Sequence, residues 1–505
     1  MGSFFSRLKL ASAILFPRQR AIKASYNAAS RSQDALRNFA GSDFFPADHA
    51  MRQTVRRTIA VRARNEFANN SFAYGIVYTL ADDTIGTGPK LQLELSNAAS
   101  EIIAKLQARE ARFHKWAREV GLNDMLRCAR IAKAIDGETF IVLSINPGCN
   151  REIKLEPKIY EAEFVASDTL IDRPVEYHPT GEPKEVDGII FDIYGNPVQY
   201  RFWRVHPGSP SGVSPRDSHL VDASNVIHYG NFFRAGQHRG LSEMTAALHI
   251  FNDLRRYSTA VVLAAEVAAR LSFIISNDLP PELYESTIET DDSGRISQTA
   301  LDIQGPSTLT SGDFNSLILP AGYHAAQMKS EQPTNTYVSF KDSKIAEAAR
   351  VFSMPFNVAV GNSSSYNYAS GRLDHQVYHR KLKIERETIG CRILDPIFTE
   401  WQEMDRLIHP ADYAGADATY HTWMWDGFEH VDPVKEANAA ATRLAIGLTS
   451  LSEECALEGK DVETVTARRQ REIQDYKEKG LAPLPWMNGG ASPATSKQSS
   501  DEDKE

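Results

Sequence analysis

Two helix-forming stretches that enclose a short β-forming one constrain this chain more than any other feature. Residues 241–272 read as one long helix, with Met244, Ala247, Leu248, Phe251 and Leu254 on one face and an alanine-rich second half from Ala260 to Ala269. The alanine-rich half is narrow-faced and suits close helix neighbours. A compact β-containing segment follows, punctuated by turn signals at Pro280-Pro281, Asp291-Asp292-Ser293-Gly294 and Gly305-Pro306. A second, shorter helix at 341–352 returns the chain. Two helices bracketing a small β-rich module are expected to project as a stalk and tip.

Immediately beyond lies Gly-Asn-Ser-Ser-Ser-Tyr-Asn-Tyr-Ala-Ser-Gly-Arg, residues 361–372, with no charge until Arg372. A loop that performs chemistry usually carries an acid, base or nucleophile with a partner. This one offers hydroxyls, amides and two tyrosines, which suit brushing past a polymer without gripping it. A plain surface loop is the bland reading of the same residues. A long charged helix is expected from Arg372 to Glu403, with no proline before Pro396.

Charge bears on which polymer, and how. The 505 residues carry 56 Lys and Arg against 65 Asp and Glu, a net charge of −9. Tight nucleic-acid binders are normally basic, because affinity comes from neutralising phosphates, so a conventional DNA-wrapping protein is excluded. The length calls for one very large domain or several modules. Cys128, Cys149, Cys391 and Cys455 lack CxxC spacing, which suggests neither a disulfide framework nor a zinc site and fits a reducing cytoplasm. No apolar run reaches the length that spans a bilayer. Residues 1–33 hold six Lys or Arg and no acid, and read as a basic arm that contacts nucleic acid or a capsid shell, or is trimmed. Myristoylation and transit-peptide patterns also touch this stretch but are short and common. Residues 489–505, rich in Gly, Ser and charge, are expected to be disordered.

Along the rest of the chain, 34–72 reads as helical, with Arg52, Arg56, Arg57, Arg62 and Arg64 crowded together. A turn at 85–89 precedes the alternation Leu91, Leu93, Leu95, a strand signature. Helices are expected over 97–134, a break at Gly137-Glu138, a strand over 139–145, and a hairpin over 186–205 turning at Tyr194-Gly195-Asn196-Pro197. Residues 432–479 read as a helix pair around Glu458-Gly459-Lys460-Asp461.

Enzymatic motifs are weak. His375 and His379 have the i, i+4 spacing of two metal ligands, but Gln376-Val377-Tyr378 between them lacks the HExxH glutamate. Gly86-Thr87-Gly88-Pro89-Lys90 lacks phosphate-loop spacing, and no GxSxG elbow occurs. Asp291-Asp292 and the pair Asp136/Glu138 invite a nuclease reading, but two-metal sites need several converging acids.

One set of ordered fragments carries a family likeness: Arg62-Ala63-Arg64-Asn65 with Asn69-Asn70 and Ile85-Gly86-Thr87-Gly88; Asp136-Gly137-Glu138; Gly188-Ile189-Ile190-Phe191-Asp192 with Gly195-Asn196-Pro197-Val198-Gln199-Tyr200; Val226-Ile227-His228 with Phe232-Phe233-Arg234-Ala235-Gly236-Gln237-His238-Arg239-Gly240; Tyr366-Asn367-Tyr368-Ala369-Ser370-Gly371-Arg372; and Val431-Asp432-Pro433-Val434-Lys435-Glu436-Ala437. In order and spacing they resemble the lambda-type portal proteins of tailed bacteriophages and prophages.

The resemblance implies an α+β portal fold with wing, two-helix stem, β-rich clip and helical crown, assembling as a ring, dodecameric in the family. It implies a basic arm at 1–33, wing at 34–240 and 372–430, stem helices at 241–272 and 337–355, clip at 273–336, tunnel-loop region at 356–371, crown at 431–488 and tail at 489–505. Asn362, Ser363, Ser364, Ser365, Tyr366, Asn367 and Tyr368 would line the DNA channel; the triple serine makes this loop more polar than in many relatives. Arg234, Gln237 and Arg239 would hold the stem base against the wing.

The implied function is a non-enzymatic conduit at one capsid vertex, for genome packaging, head–tail joining and ejection. It is assembled in the host cytoplasm and resident in the virion, without cofactor, metal or membrane. The implied partners are further copies of the chain, the terminase large subunit, major capsid and scaffold proteins, head–tail adaptors and passing double-stranded DNA. A minor capsid or adaptor protein without a channel, and a nucleic-acid-processing enzyme of a mobile element, are the competing readings. The conduit has a physical logic: each neutralised phosphate adds affinity, so a basic bore would trap the polymer it must pass.

Overall fold

The computed structural model describes residues 44–94, 100–167, 175–210, 217–270, 336–364, 368–415, 420–428, 433–460 and 462–482, short strands between 274 and 326, and residues 33 and 37 singly. The basic arm (Gln33 apart), the tail at 489–505, the turns at 280–281, 291–294 and 305–306, and Ser365, Tyr366 and Asn367 lie outside the described residues.

Helix and sheet are mixed throughout. A short turn α1 (Ala47–Ala50) precedes α2 (Gln53–Asn69) and α3 (Ser71–Ile85). Asn70 separates the last two: its Oδ1 accepts from the N–H groups of Phe72 and Ala73 at 3.1 and 3.4 Å, capping α3. Strand β1 (Lys90–Glu94) pairs antiparallel with a partner far along the chain, β15 (Tyr420–Met424). Between them, α4 (Ser100–Glu119) and α5 (Leu122–Ile135) lead to the central three-stranded sheet, in the order β3 (Leu155–Glu161), β2 (Glu138–Ile145), β8 (Val226–Gly230).

The expected hairpin is part of a larger antiparallel sheet, β4 (Glu185–Val186), β5 (Ile189–Phe191), β6 (Pro197–Trp203) and β7 (Ser218–Asp222). Its turn is built by Asp192, whose Oδ1 accepts from the N–H groups of Tyr194 and Asn196, each at 2.8 Å.

The helix expected from Leu241 starts later. Ser242 caps a 3-10 turn, Glu243–Ala246, and regular helix α6 runs Leu248–Arg270. Among the described residues three antiparallel pairs follow: β9 (Ile274–Asn277) with β14 (Tyr323–Ala326), β10 (Ile288–Thr290) with β11 (Ile296–Gln298), and β12 (Ser307–Ser311) with β13 (Phe314–Ile318). Then α7 (Thr336–Val351) returns along α6; Tyr337 stacks on Tyr257 at 5.7 Å and its hydroxyl bonds Ser258 Oγ at 3.2 Å.

After α8 (Phe356–Val360), helix α9 (Tyr368–Ile389) starts at Tyr368, so Tyr368 to Gly371 are helical and the loop is shorter than expected. It continues through a π-helical turn, Gly390–Leu394, into α10 (Asp395–Ile408). Pro396 lies in the first turn of α10. Proline lacks an N–H and its ring crowds the carbonyl four residues back; the wider turn just before it lets one rod carry on past Glu403.

The expected C-terminal helix pair is three helices, α11 (Pro433–Ala445), α12 (Leu451–Leu457) and α13 (Val462–Glu478). Gly447, at φ +69°, ends the first, and a Ser450–Glu453 capping box starts the second.

Two apolar cores organise the helices. One joins α4, α5 and the central sheet to the α9–α10 rod through Phe113, Trp116, Ile141, Ile393 and Trp401. The other joins α3 to the base of α6, to α7 and to α9 through Ile76, Leu80, Phe251, Phe352 and Tyr378. A third lies between the two sheets around Phe140, Ile189 and Phe202. The roots of the α6/α7 pair are therefore set in the same packed block as α3 and α9.

Candidate functional site

The segment 231–240 runs from β8 to the root of α6, and its polar residues do different jobs. Gln237 organises the loop itself: its Oε1 accepts from Phe233 and Arg234 N–H, and its Nε2 donates to the Asn231 and Arg239 carbonyls at 3.1 and 2.8 Å. Arg234 reaches outward, donating from Nη2 to the Phe45 carbonyl at 3.0 Å. Arg239 turns inward and is 2 % exposed. Its Nε donates to Glu138 at 2.8 Å, and its Nη groups donate to the Val165, Ala162 and Asp187 carbonyls.

Glu138 is the centre of this knot. Its buried carboxylate also accepts from Arg56 Nη1 at 2.9 Å and Gly240 N–H at 2.6 Å, and lies 2.8 Å from His228 Nε2. Burial alone would raise its pKa, but Arg239, His228 and Arg56 together hold it well below the usual carboxylate range. Burial lowers Arg56 to about 9, which leaves it charged at neutral pH. Asp187 closes the set by pairing with both arginines.

The backbone demands as much. Gly137 has φ +94°, and a Cβ on Gly240 would fall 2.3 Å from the Gly137 carbonyl oxygen. Asn231 N–H donates to that same carbonyl at 2.8 Å, and Asn231 Nδ2 donates to the Leu241 carbonyl at 2.9 Å. The Gly137-Glu138 break foreseen in the sequence is thus a clamp on the chain entering α6.

A nuclease reading of the same acids fails on their partners. Asp136 is bonded by Arg64 Nε at 2.7 Å, and Arg64 Nη2 bonds Glu163 at 2.7 Å. Burial, only partly offset by Arg64, pushes Asp136 up to about 6. Among the described residues one group, Glu161, Glu163 and His206, gathers ligand-type atoms. Arg64 already faces both of its carboxylates. His206 Nδ1 accepts from Gly208 N–H at 3.0 Å, and its Nε2 lies 3.3 Å from a Glu161 oxygen. The His375 and His379 rings meet edge to face at 5.8 Å, with His375 Nε2 3.2 Å from Asn357 Nδ2 and His379 stacked on Phe428 at 4.1 Å.

Of the loop residues, Asn362, Ser363 and Ser364 are described and exposed. Gly361, at φ +70°, ends α8. Asn362 N–H then donates to the Asn357 carbonyl at 3.0 Å, and Asn362 Oδ1 accepts from Ser364 N–H at 2.9 Å, an Asx turn. Asn357 Nδ2 also donates to Ser363 Oγ at 3.2 Å. The loop therefore leaves α8 as an ordered, charge-free polar turn, anchored beside the first turns of α9. It lies apart from the Glu138 knot in the chain; the two are linked through the packed block of α3, α6, α7 and α9.

Sequence reasoning missed Glu138 and Asp187 as partners of Arg239, missed Arg56 and His228 as further partners of Glu138, and missed a second buried set. There, Lys133 Nζ donates to Glu385 at 2.8 Å, Tyr229 also bonds Glu385, and Arg130 pairs with Glu243 at 2.9 Å. The signal available was the run of charged residues inside otherwise apolar helical patterns.

A cavity of about 1980 Å³ opens between α9, β15 and α11–α12. Among its described lining residues, the Cys391 thiol donates to Glu387 at 3.6 Å, and burial and that carboxylate raise its pKa. Among the described residues no helix is long and apolar enough to cross a membrane.

Comparison with known proteins gives three findings. The profile of the family described as phage portal protein, lambda family, matches residues 41–386. A protein of Halomonas phage phiHAP-1 described as a probable portal protein is 21 % identical over 460 residues, covering 86 % of this chain and 83 % of that one. Solved structures of the necks of gene transfer agent particles are also similar. An empty particle computed with C6 symmetry has TM-score 0.44 and 16 % identity, and a native particle computed with C12 symmetry has 0.40 and 15 %. Each comparison covers 79 % of this chain and 92 % of the other.

Proposed function

The chain belongs to the lambda family of phage portal proteins, and from that premise we propose that copies of it form a ring through which double-stranded DNA passes at one vertex of a capsid. Its role is that of a portal, a structural connector between head and tail. The finer reading is that α6 and α7 form the stem, the strand pairs between them the clip, and the charge-free turn after α8 a lip of the bore.

The observation that carries this reading is the α6/α7 pair. Two helices root in one packed block, run side by side through Tyr257 and Tyr337, and enclose, among the described residues, paired short strands. An adaptor without a channel has no need of such a stalk. The acids that a processing enzyme would use are instead engaged by Arg56, Arg64 and Arg239.

The turn after α8 adds the electrostatic argument. A polyanion slides best past groups that form weak, exchangeable hydrogen bonds and release no counterions. Asn362, Ser363 and Ser364 are such groups, and Ser365, Tyr366, Asn367 and Tyr368 continue the composition. In this reading the terminase large subunit supplies the energy, and capsid, scaffold and head–tail adaptor proteins meet the outer surfaces. The protein works in the virion after assembly in the host cytoplasm, without chemistry or cofactor of its own.

Native mass spectrometry with negative-stain imaging of the purified protein tests it. Rings of about a dozen copies are expected, since head-to-tail contacts close when the rotation permits. A monomer or a two-fold dimer under packaging conditions overturns the reading.

A further inference from the structure

Helices α3 and α9 pack on each other through their buried sides: Tyr378 hydroxyl donates to Asp83 at 2.9 Å, and Arg386 Nε donates to the Thr84 carbonyl at 2.8 Å. Each helix therefore turns its opposite side away from the other. On α3 that side carries Tyr74 and Tyr78, rings stacked at 4.7 Å and 46 % and 40 % exposed, with Asp82 one turn on. On α9 it carries Leu373, Val377 and Ile384, 65 %, 50 % and 63 % exposed, with Arg380 between. Spacings of four and seven residues set these on one stripe. A scattered exposed aliphatic residue is ordinary; a stripe over three helical turns, opposite the buried face, marks a contact surface.

We propose that the α9 stripe of one copy docks on the α3 tyrosine ladder of the next, and that this repeated contact closes the ring. The inference rests on the ring reading above. The occupant is a second copy because the faces complement each other. One is aromatic and carries an acid; the other is aliphatic and carries a base. Arg380 between Val377 and Ile384 meets Tyr78 and Asp82, a cation over an aromatic face beside a carboxylate. Asp82 pairs with Arg127, Oδ1 to Nε 3.1 Å, but keeps 57 % of its side chain exposed, so lone pairs remain for a second cation. A two-fold contact of the stripe with itself would set Arg380 against Arg380. Two different faces pointing to opposite sides of one helix pair are what a head-to-tail contact requires.

Cross-linking tests this in the full chain with its four cysteines, Cys128, Cys149, Cys391 and Cys455, changed to serine. Tyr78→Cys together with Val377→Cys, treated with a short bismaleimide, should give a ladder of multimers on a denaturing gel. Either substitution alone should give none, and the opposed faces preclude a link within one copy. Rings in electron micrographs of that sample without a ladder overturn the pairing and leave the ring reading intact. An unaltered protein that stays monomeric by native mass spectrometry overturns both. As a second arm, Arg380→Glu with Ile384→Asp, both exposed, should keep the thermal melt of the monomer and lower the ring fraction at least tenfold. An unchanged ring fraction counts against the proposal.

Discussion

The Arg239 guanidinium and the Glu138 carboxylate meet at 2.7 Å inside the protein, with side chains 3 % and 0 % exposed. The pair joins the first residue of β2 to the residue before Gly240, where the chain turns toward α6. The root of α6 is thus held by an ionic network. Arg56 and Asp187 flank the pair, so removing either member leaves charge stranded in the interior.

Replacing Arg239 by methionine should therefore cost about 3–5 kcal/mol, the usual loss when one partner of a buried ion pair is removed. Arg239→Lys should recover less than half of that, because one ammonium cannot reach a carboxylate and three carbonyls in different directions. Denaturant titration of each variant decides it; full rescue by lysine would show that charge alone matters.

Acid sensitivity should divide between Asp136 and Glu138. Asp136 is raised from 3.8 to about 6, so the folded protein binds its proton more tightly than the unfolded chain. That contribution to stability is complete below the unfolded value and is lost as pH rises through about 6. Glu138 runs the other way: its contribution is complete above the unfolded value of 4.5 and is lost as pH falls through its depressed folded pKa. Each tenfold difference in proton affinity is worth about 1.4 kcal/mol, so the stability of Asp136→Asn relative to the parent should rise by about 2 kcal/mol between about pH 4 and pH 7. Denaturation midpoints across that range supply the comparison, and a flat difference rules the assignment out.

Gly240→Ala should be among the most damaging small changes in the chain. Its Cβ would lie 2.3 Å from the Gly137 carbonyl oxygen and 2.7 Å from Glu138 Cβ. Neither neighbour can yield without breaking β2 or the ion pair, so a loss of about 3 kcal/mol or more is expected. A melting temperature within a degree or two of the parent would mean that the close approach is relaxed in solution.

Lysine at Asn362, Ser364 and Asn367 should leave assembly intact and slow DNA translocation at least tenfold. The added cations would gather phosphates, and the defect should ease as salt is raised. A packaging assay run at two ionic strengths reads both effects. Unaltered uptake would place the loop away from the DNA path.

Much of this protein is legible one segment at a time. The long helix after Ser242, the strand pairs that follow, the returning helix and the polar turn at Asn362 are all local propensity, capping and turn chemistry, and the sequence carries them openly. The rod runs on past Pro396 to Glu403 and beyond, as its pattern predicts, by way of a π turn. Where competing local signals met, the outcome differed: Gly447 and Ser450 divided an expected helix pair into three helices.

Partnership was not legible. Glu138 finds Arg56, His228 and Arg239 at separations of 82, 90 and 101 residues. In the sequence it reads as the residue after a helix-breaking glycine and as one of a pair of acids with Asp136, with nothing to name its partners. Similarly, Tyr78 and Ile384 read as ordinary helix positions until α3 and α9 pack and leave both exposed on faces that point away from each other. Short-range spacing dictates which element forms, because backbone hydrogen bonds and caps act within a few residues. Which charges neutralise one another, and which apolar stripes are left bare, depends on distances that exist only after the chain has closed on itself.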